Sequence, residues 1–302
     1  MRHQISYGKE GVPLYRTYAR PLAGLAPIPE SSFAGRPNTV FGADVAVEVL
    51  DDNLLPAYTE GDNSNVVATD SMKNFVLRKG LDLEFATLEA LLYRLGAEFL
   101  AEYAQIGRLG LRGHELPFEP VDTGRGPSPV LFARRHDDRG WSELLVEREG
   151  AGARILAHQS GRTDIQLVKT TGSSFTRFVR DQHTTLPEVV DRPLFIYCDV
   201  FWRYADPADA VADDPARYVA SEQVRDLCAV VFDQLNSKSI QQLVWAMGQR
   251  VLARFPRLAE VSFVVQNRLW DTFCQREDDP TVRAATDPRP GNGRITLTLQ
   301  RA

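Results

Sequence analysis

Two amphipathic helices, each preceded and followed by alternating strands, constrain the fold more than any other feature of this sequence. Their apolar faces are made of Leu88, Leu91, Leu92, Leu95 and Phe99 in the first helix, and of Ile240, Leu243, Val244, Met247 and Val251 in the second. Both sets follow the i, i+3, i+4, i+7 recurrence of a helix that buries one side. Each helix therefore needs an apolar surface to pack against.

Strands with a period of two supply that surface. Alternating apolar residues occur at Val45, Val47 and Val49, at Val261, Phe263 and Val265, and at Ile295, Leu297 and Leu299. Residues 193–204 predict a long strand, and residues 154–169, interrupted at Ser160-Gly161, predict a β-hairpin. A shorter helix is expected to begin near Thr69-Asp70-Ser71. We expect it to bury Met72, Phe75 and Val76.

The order of these elements, with strands, helices and strands in each half of the chain, predicts an α+β fold. We expect an antiparallel sheet with helices on one face. A length of 302 residues fits about two domains. The polar stretch at residues 136–140 is the expected boundary, which divides the chain into domains of residues 1–138 and 139–302.

Charge and cysteine content argue against several classes of protein. The formal net charge of −5 does not favour a nucleic-acid-binding face, which needs a local excess of Lys and Arg. No stretch reaches the roughly 18 apolar residues of a membrane span, and the first residues lack the apolar run of a signal peptide. Cys198, Cys228 and Cys274 form no CxxC pair, so we expect reduced thiols in a cytoplasmic protein.

Known motifs for a metal or a cofactor do not occur in the sequence. The five histidines never pair at HxH or HxxxH spacing, which argues against a zinc site. The GxGxxG, GxxxxGK and GxSxG patterns are missing as well. We therefore expect neither a bound metal nor a phosphate-bearing cofactor.

Three segments carry residues that are unusual at purely structural positions. They are Tyr7-Gly8-Lys9, the run Asn65-Val66-Val67-Ala68-Thr69-Asp70-Ser71, and the stretch that begins at Phe175 and ends at Arg192. Each also has a structural interpretation: a solvated strand lysine, a helix N-cap, and a surface ion pair of Asp191 with Arg192. Taken one at a time, the structural interpretation is the stronger one.

Taken together, these segments resemble the urate oxidase (uricase) family, and residues 267–271 resemble its bacterial branch. Three further matches lie toward the end of the chain, at Ser239-Ile240-Gln241, at Gln266-Asn267 and at Thr286-Asp287-Pro288-Arg289-Pro290. The resemblance covers the whole chain. It implies two tandem T-fold domains and an oxidase of urate by dioxygen that uses no cofactor. It also implies a homotetramer whose sheets close into a tunnel-shaped barrel.

The resemblance places a clamp for a flat purine in the second half of the chain. Phe175 would stack on the ring, while Arg192 and Gln241 would grip its edges, which suits an anionic carbonyl next to an N–H. Ile240 and Leu186 would form apolar walls.

The resemblance also implies a proton-handling pair, Lys9 and Thr69, because urate must lose a further proton before it gives electrons to dioxygen. Asn267 would hold the oxygen or a water. Asp70 would reach the substrate through its backbone N–H, while its carboxylate caps the helix. In this family the first-half residues of the set come from the subunit next to the one that carries the clamp, so a monomer would be inactive.

One difference from the family concerns the histidine that follows the matching asparagine and completes the proton relay. If the alignment has no gap, Leu269 stands in its place; if a one-residue bulge intervenes, Arg268 does. An arginine stays protonated and cannot act as a base, but it could orient Lys9, lower its pKa or hold an anion. Arg268 is therefore included among the candidate catalytic residues.

The sequence thus predicts oxidation of urate by dioxygen and water to 5-hydroxyisourate and hydrogen peroxide. The missing histidine leaves two alternatives: an oxidase of another purine or a related heterocycle, and a protein that binds a purine without catalysis. The presence of both Lys9 and Thr69 argues against binding alone. A zinc enzyme built on T-fold domains would need a histidine cluster that this sequence lacks.

Overall fold

The structure, a computed structural model, describes residues 3–134, 137–150, 152–287 and 291–301. In chain order its strands are β1 (Tyr7–Thr17), β2 (Leu22–Ala23), β3 (Gly35–Arg36), β4 (Val40–Val49), β5 (Arg108–Leu116), β6 (Phe118–Asp122), β7 (Pro127–Arg134), β8 (Arg139–Glu149), β9 (Gly152–Lys169), β10 (Leu194–Tyr204), β11 (Leu258–Asn267), β12 (Asp271–Gln275), β13 (Arg283–Thr286) and β14 (Gly293–Gln300). The helices are α1 (Leu55–Thr59), α2 (Thr69–Asp82), α3 (Leu88–Glu102), α4 (Ser221–Gln234) and α5 (Ile240–Arg254).

Eight of these strands form one antiparallel sheet in the order β1-β4-β5-β8-β9-β10-β11-β14. The sheet has two similar halves, because β1, β4, α2, α3, β5 and β8 are followed by β9, β10, α4, α5, β11 and β14. Side chains of α2 and α3 form one apolar core with the first four strands, and those of α4 and α5 form a second core with the last four.

Both helix pairs cover the same face of the sheet, here called the helix face. Ser160 and Arg162 lie on one side of β9, and their side chains bond to Glu89 of α3 and to Ser221 of α4. This arrangement confirms the predicted antiparallel sheet with packed helices. The predicted strands at residues 45–49, 193–204, 261–265 and 295–299 are confirmed, as are the three predicted helices.

The predicted hairpin at residues 154–169 is wrong. Gly152–Lys169 is a single strand of 18 residues that pairs with β8 along its first part and with β10 along its second. Gly161 pairs with both Trp141 and Phe201, and a Cβ on it would lie 2.5 Å from a ring atom of Phe201. The two aromatic rings meet over this glycine at 5.1 Å. Gly161 therefore permits a close side-chain contact instead of a turn, and β9 joins the two halves of the sheet.

No helix among residues 3–134, 137–150, 152–287 and 291–301 is long and apolar enough to cross a membrane. The three cysteines are free thiols, of which Cys274 is exposed. Burial raises the pKa of Cys198 well above its usual value and that of Cys228 to about 12, so both stay protonated.

A buried polar cluster lies where the two helix pairs meet. Glu89 of α3 accepts hydrogen bonds from the hydroxyls of Ser160, at 2.5 Å, and Tyr218, at 3.0 Å. His158 Nε2 lies 2.9 Å from the same Ser160 hydroxyl. Burial raises the pKa of Glu89 to about 7 and lowers that of His158 to about 4. Between these values both side chains are neutral in the folded protein.

We expect the substitution Glu89→Gln to change how stability depends on pH. An unfolded chain releases the Glu89 proton near pH 4.5, whereas the folded protein keeps it to about pH 7, so the free energy of unfolding falls as pH rises through this window. The loss amounts to roughly 3 kcal/mol. His158 contributes the opposite slope between about pH 4 and pH 6.5, a window that overlaps that of Glu89, and the substitution leaves the His158 slope in place.

The apparent Tm of the Gln variant relative to the wild type should therefore increase between about pH 5 and about pH 8. Melting curves of both proteins over that range check this expectation. A difference in Tm that stays constant with pH would contradict it.

Candidate active site

A β-bulge in β1 decides which face of the sheet Lys9 occupies. Lys9 pairs with Val47 and Val12 pairs with Val45, so β1 has one more residue than β4 between the two pairs. Gly11 lies in the bulge with a φ of +66°, a conformation that favours glycine. Paired residues of an antiparallel sheet share a face, and both valines of β4 are buried under the helices. Lys9 therefore lies on the helix face, where it is half-buried.

The beginning of α2 is tied to the same strand. The hydroxyl of Tyr7 accepts a hydrogen bond of 2.8 Å from the N–H of Val67 and donates one of 3.2 Å to the carbonyl of Val67. Thr69 and Asp70, the first two residues of α2, follow directly and are exposed. Lys9, Thr69 and Asp70 thus lie in one region of the structure. They form the first of two groups of predicted site residues.

Asp70 does not cap α2, so this expectation is wrong. Ala68 occupies the cap position without a side-chain hydrogen bond, and the Asp70 carboxylate accepts bonds from Lys73, at 2.7 Å, and Asn74, at 3.0 Å. The hydrogen bond and charge of Lys73 lower the pKa of Asp70, and the charge of Lys9 adds a smaller contribution. The N–H groups in the first turn of an uncapped helix are available to an anionic or carbonyl acceptor.

The second group centres on the loop between β9 and β10, residues 170–193, here called the clamp loop. Phe175 exchanges two backbone hydrogen bonds with Val189, of 2.8 and 3.0 Å, and the N–H of Arg192 donates to the carbonyl of Ser173 at 2.9 Å. The guanidinium carbon of Arg192 lies 5.6 Å from the ring centroid of Phe175, whose ring also stacks on Phe178 at 4.9 Å. Burial lowers the pKa of Arg192. Its Nε is buried and has no hydrogen-bond partner among the residues described.

The first turn of α5 belongs to the same group because the residues before it pair with the clamp loop. Ser237 forms backbone hydrogen bonds of 2.8 and 3.1 Å with residues 172–174. Ser239 then caps α5 through its side chain. Ile240 is buried and Gln241 is exposed at the beginning of the helix.

Asn267 ends β11 at the same end of the sheet. It pairs with Ile196 of β10, a strand that begins two residues after Arg192. Asn267 follows the buried Val265 by two residues, so both lie on the helix face. Within the described ranges its Oδ1 is buried and accepts no hydrogen bond. Two buried polar atoms without a partner, Arg192 Nε and Asn267 Oδ1, therefore occur in this group.

Arg268 lies on the opposite face of the sheet. Its guanidinium carbon is 4.4 Å from the ring centroid of Tyr197, and it donates two hydrogen bonds, of 2.9 and 3.2 Å, to Gln266 Oε1. The N–H of Arg268 donates to the carbonyl of Phe195 at 2.9 Å, which continues the β10–β11 ladder without a bulge. This regular pairing favours the ungapped alignment. Leu269, the residue that the ungapped alignment places at the histidine position, packs against the second core, and which of the two residues replaces the histidine stays a prediction.

Three other predicted positions are less closely tied to these groups. Leu186 is 41% exposed in the clamp loop, and its carbonyl accepts a 3.4 Å hydrogen bond from Arg180. Thr286 and Asp287 line a cavity of about 350 Å³ beside Pro193. The matched residues Pro288, Arg289 and Pro290 lie outside the described residues, as does His136 of the predicted domain boundary.

The two groups lie near opposite edges of the sheet within one chain. Lys9 is on β1, the first strand of the sheet, and Asn267 is on β11, the seventh. Six strand spacings of roughly 4.8 Å correspond to about 29 Å along the sheet. A small heterocycle that contacts Asn267 is therefore out of reach of Lys9 from the same chain.

Two other features of the described residues bear on this assignment, namely possible metal ligands and a separate cavity. In the part of the chain that the structure describes, no cluster of three or more His, Cys, Asp or Glu side chains could hold a metal ion. A separate cavity of about 250 Å³ lies between β4, β5 and α4. Its Arg36 bonds to both Glu115 and Glu222, and Arg162 lies 3.8 Å from Glu222, so these carboxylates are paired with arginines.

Three residues hold the two groups in place, and this role was not predicted for any of them from the sequence. The hydroxyl of Tyr7 and the backbone of Ser237 both act on partners sixty or more residues away. Lys169, at the end of β9, likewise bonds to the end of α4. Tyr7 lies within a segment that resembles the family, and Ser237 lies two residues before another such segment. These positions could have drawn attention to both residues, whereas Lys169 lies in no such segment.

A sequence model of the uricase family matches residues 32–143 and 158–294 of the chain. The chain is 46% identical over 290 residues to a protein from Halalkalicoccus jeotgali named uricase, a comparison that covers 95% of each. It is 45% identical over 305 residues to the uric acid degradation bifunctional protein PucL of Bacillus subtilis. That match covers 100% of this chain but 62% of the relative, so the chain spans less than two thirds of PucL.

Solved structures give the same result. The urate oxidase of Bacillus sp. TB-90 superposes with a TM-score of 0.95 at 38% identity, covering 98% of this chain and 100% of that one. A uricase from Bacillus fastidious superposes with a TM-score of 0.94 at 42% identity, covering 99% and 94%. Both the sequence and the fold therefore match one family over nearly the whole chain.

Proposed function

Because the chain belongs to the uricase family, we propose that it catalyses the oxidation of urate by dioxygen. In this reaction urate gives two electrons and two protons to dioxygen, which leaves as hydrogen peroxide. The oxidised purine then takes up one molecule of water and becomes 5-hydroxyisourate. The reaction needs a site that holds a flat anion, removes a proton and admits dioxygen and water.

Two buried polar atoms without a partner among the described residues carry this proposal, and one of them belongs to an arginine beside an aromatic ring. Arg192 Nε is a donor and Asn267 Oδ1 an acceptor, and the ring of Phe175 lies against the Arg192 guanidinium. A guanidinium binds an anionic carbonyl edge with charge-assisted hydrogen bonds, and an aromatic face suits a planar heterocycle. Gln241, at the beginning of α5, would contribute one donor and one acceptor to another edge. The proposed apolar walls are Ile240 and Leu186.

Lys9 and Thr69 are the proposed proton-handling pair. Their common location beside the N-terminus of α2 supports this assignment, since the positive end of a helix favours an anion. In the proposed mechanism Lys9 acts as its neutral amine and accepts a proton from urate through the Thr69 hydroxyl, and the N–H of Asp70 bonds to the substrate. The Asp70 carboxylate is occupied by Lys73 and Asn74, which supports a backbone role for this residue.

We propose that each active site is shared between two copies of the chain. The distance along the sheet between Lys9 and Asn267 supports this arrangement, which the family resemblance implies. The repeated order of strands and helices supports two tandem T-fold units that assemble into a tunnel-shaped homotetramer. A division of the units at residue 138 stays a prediction. The packing of Leu144 and Val146 in the first core favours a boundary between β8 and β9.

The proposed reaction uses no cofactor, and this can be tested directly. Purified protein treated with a chelator should consume urate in air, with about one dioxygen used and one peroxide formed per urate. Loss of the ultraviolet absorbance of urate, oxygen uptake and peroxide are followed together, and the same mixture under argon serves as the control. Activity that disappears with the chelator, or urate binding without oxygen uptake, would contradict the proposal.

A second candidate function follows from Leu269, which packs on the core and offers no proton acceptor where the family has a histidine. The chain would then be an oxidase of another purine or a related heterocycle. A catalytic role for Arg268 stays a prediction, and its position on the opposite face of the sheet does not favour direct contact with the substrate. Comparing kcat/KM across a panel of purines distinguishes the candidates, since a clear preference for another ring would replace urate.

A further inference from the structure

Lys169, the last residue of β9, lies at the junction between α4 and the clamp loop. Its ammonium donates hydrogen bonds to three backbone carbonyls at the end of α4, those of Phe232 at 3.1 Å, Asp233 at 2.9 Å and Leu235 at 3.0 Å. An ammonium has three N–H donors, so these bonds use all of them. The last carbonyls of a helix lack intrahelical partners and carry partial negative charge, which a cation stabilises.

The same side chain also packs against the beginning of the clamp loop. Gly172 has a φ of +77°, and a Cβ on this residue would lie 3.0 Å from Lys169 Cε and 3.1 Å from Nζ. On its other side the ammonium lies 5.9 Å from the ring centroid of Phe232. The end of the Lys169 side chain therefore fills the space between α4 and the clamp loop, and it is half-buried there.

Backbone hydrogen bonds connect this junction to the residues that would touch urate. Ser237, two residues beyond Leu235, donates to the carbonyl of Gly172 at 3.1 Å and accepts from the N–H of Ser174 at 2.8 Å. The Asp191 carboxylate accepts a 2.7 Å bond from the N–H of Gly172 and so closes the base of the loop. Phe175 directly follows Ser174 and Arg192 directly follows Asp191, while Gln241 lies four residues after Ser237, in the first turn of α5.

We propose that Lys169 is a positioning residue for the substrate clamp. By tying the end of α4 to the clamp loop, it sets the distance between Phe175 and Arg192 on one side and Gln241 on the other. The inference rests on the proposed function of these three residues. A positioning role differs from simple support of the second half of the sheet, because it predicts an effect on urate binding in protein that remains fully folded.

The substitution Lys169→Met tests this role, because it removes the three donors and keeps a stem of similar length. We expect the KM for urate to rise about tenfold, equivalent to about 1.4 kcal/mol, while kcat falls less than about threefold. Urate affinity measured under argon, where turnover cannot occur, should fall by the same factor. Lys169→Arg, which again offers several donors in reach of the carbonyls, should recover both values to within about threefold.

Lys79→Met is the matched control. Lys79 is also half-buried and donates a 2.7 Å hydrogen bond to Glu98, but it lies on α2, away from the clamp loop. Its substitution should leave the KM for urate unchanged. If Lys169→Met does not fold, Lys169→Gln, which keeps one amide donor group, should still raise KM and lower urate affinity under argon.

All assays are run well below the apparent Tm of every variant, so that loss of stability does not enter the comparison. A folded Lys169→Met or Lys169→Gln protein with a lower Tm but wild-type KM and urate affinity would overturn the inference. Wild-type protein that neither binds nor oxidises urate would instead refute the proposed function, and the inference would fall with it.

Discussion

Replacing Lys9 by Met should lower kcat for urate by about 10²–10⁴-fold, the range expected when one proton-transferring group is lost. Lys9 is half-buried on the helix face opposite Val47, so Met fills the space of the lysine stem and removes only the ammonium. The Thr69 hydroxyl would then have no base to which it could pass a proton. The KM for urate should change by less than about threefold, because the proposed clamp lies on the other half of the chain.

Steady-state kinetics with urate in air measure this effect, and circular dichroism together with the mass of the assembly shows that the variant folds. Glu10→Gln is a suitable control, because Glu10 is the next residue of β1 and forms an exposed ion pair with Arg112 at 2.7 Å. The control should keep wild-type kcat. A Lys9→Met protein whose kcat stays within about threefold of the wild type would show that Lys9 is not the base.

Several helices and strands of both cores were predicted from their apolar pattern, namely α2, α3, α5, β4, β10, β11 and β14. Helix α4 was missed although Val224, Leu227, Cys228 and Val231 are buried at helical spacing. Its first turn also buries Gln223, whose amide bonds to two backbone carbonyls before β3. A buried polar residue interrupts the apolar pattern, and only the folded chain shows the partners that compensate it.

The Ser160-Gly161 pair was mistaken for a turn for a related reason. Glycine is common in turns because it tolerates positive φ, but Gly161 has an extended conformation. It is needed because the rings of Trp141 and Phe201 meet over it. The requirement comes from strands on either side of β9, so no local pattern could have indicated it.

The types of site residue could be predicted from the family resemblance, whereas their orientation could not. Whether Arg268 faces the substrate depends on the register of β11 against β10, and that register is regular up to Asn267. The face of the sheet on which Lys9 lies likewise depends on the one extra residue of the bulge at Gly11. Without that extra residue the Lys9 side chain would point to the opposite side of the sheet. A one-residue change in register reverses every side chain of a strand, and sequence patterns rarely resolve it.

Mixing two nearly inactive variants, Lys9→Met and Arg192→Ala, should restore activity. Arg192→Ala alone should raise the KM for urate about 100-fold, because about 3 kcal/mol of charge-assisted hydrogen bonding is lost. If each site takes Lys9 from one chain and Arg192 from its neighbour, random assembly of equal amounts leaves about a quarter of the sites with both residues intact. Co-expressed and co-purified chains should therefore show about a quarter of wild-type activity at low urate concentration.

The matched control is co-expression of Lys9→Met with Thr69→Ala. Both changes lie on the first half of the chain, so every shared site inherits one of them and no activity should return. The geometry of the sheet predicts recovery only for the first mixture: β1 and β11 are the first and seventh strands of one chain, about 29 Å apart along the sheet. A neighbouring copy whose β1 continues the sheet beyond β14 would bring its Lys9 to about two strand spacings, roughly 10 Å, from Asn267, a gap that one purine can bridge. Equal activity in both mixtures, or none in either, would show that the sites are not shared in this way.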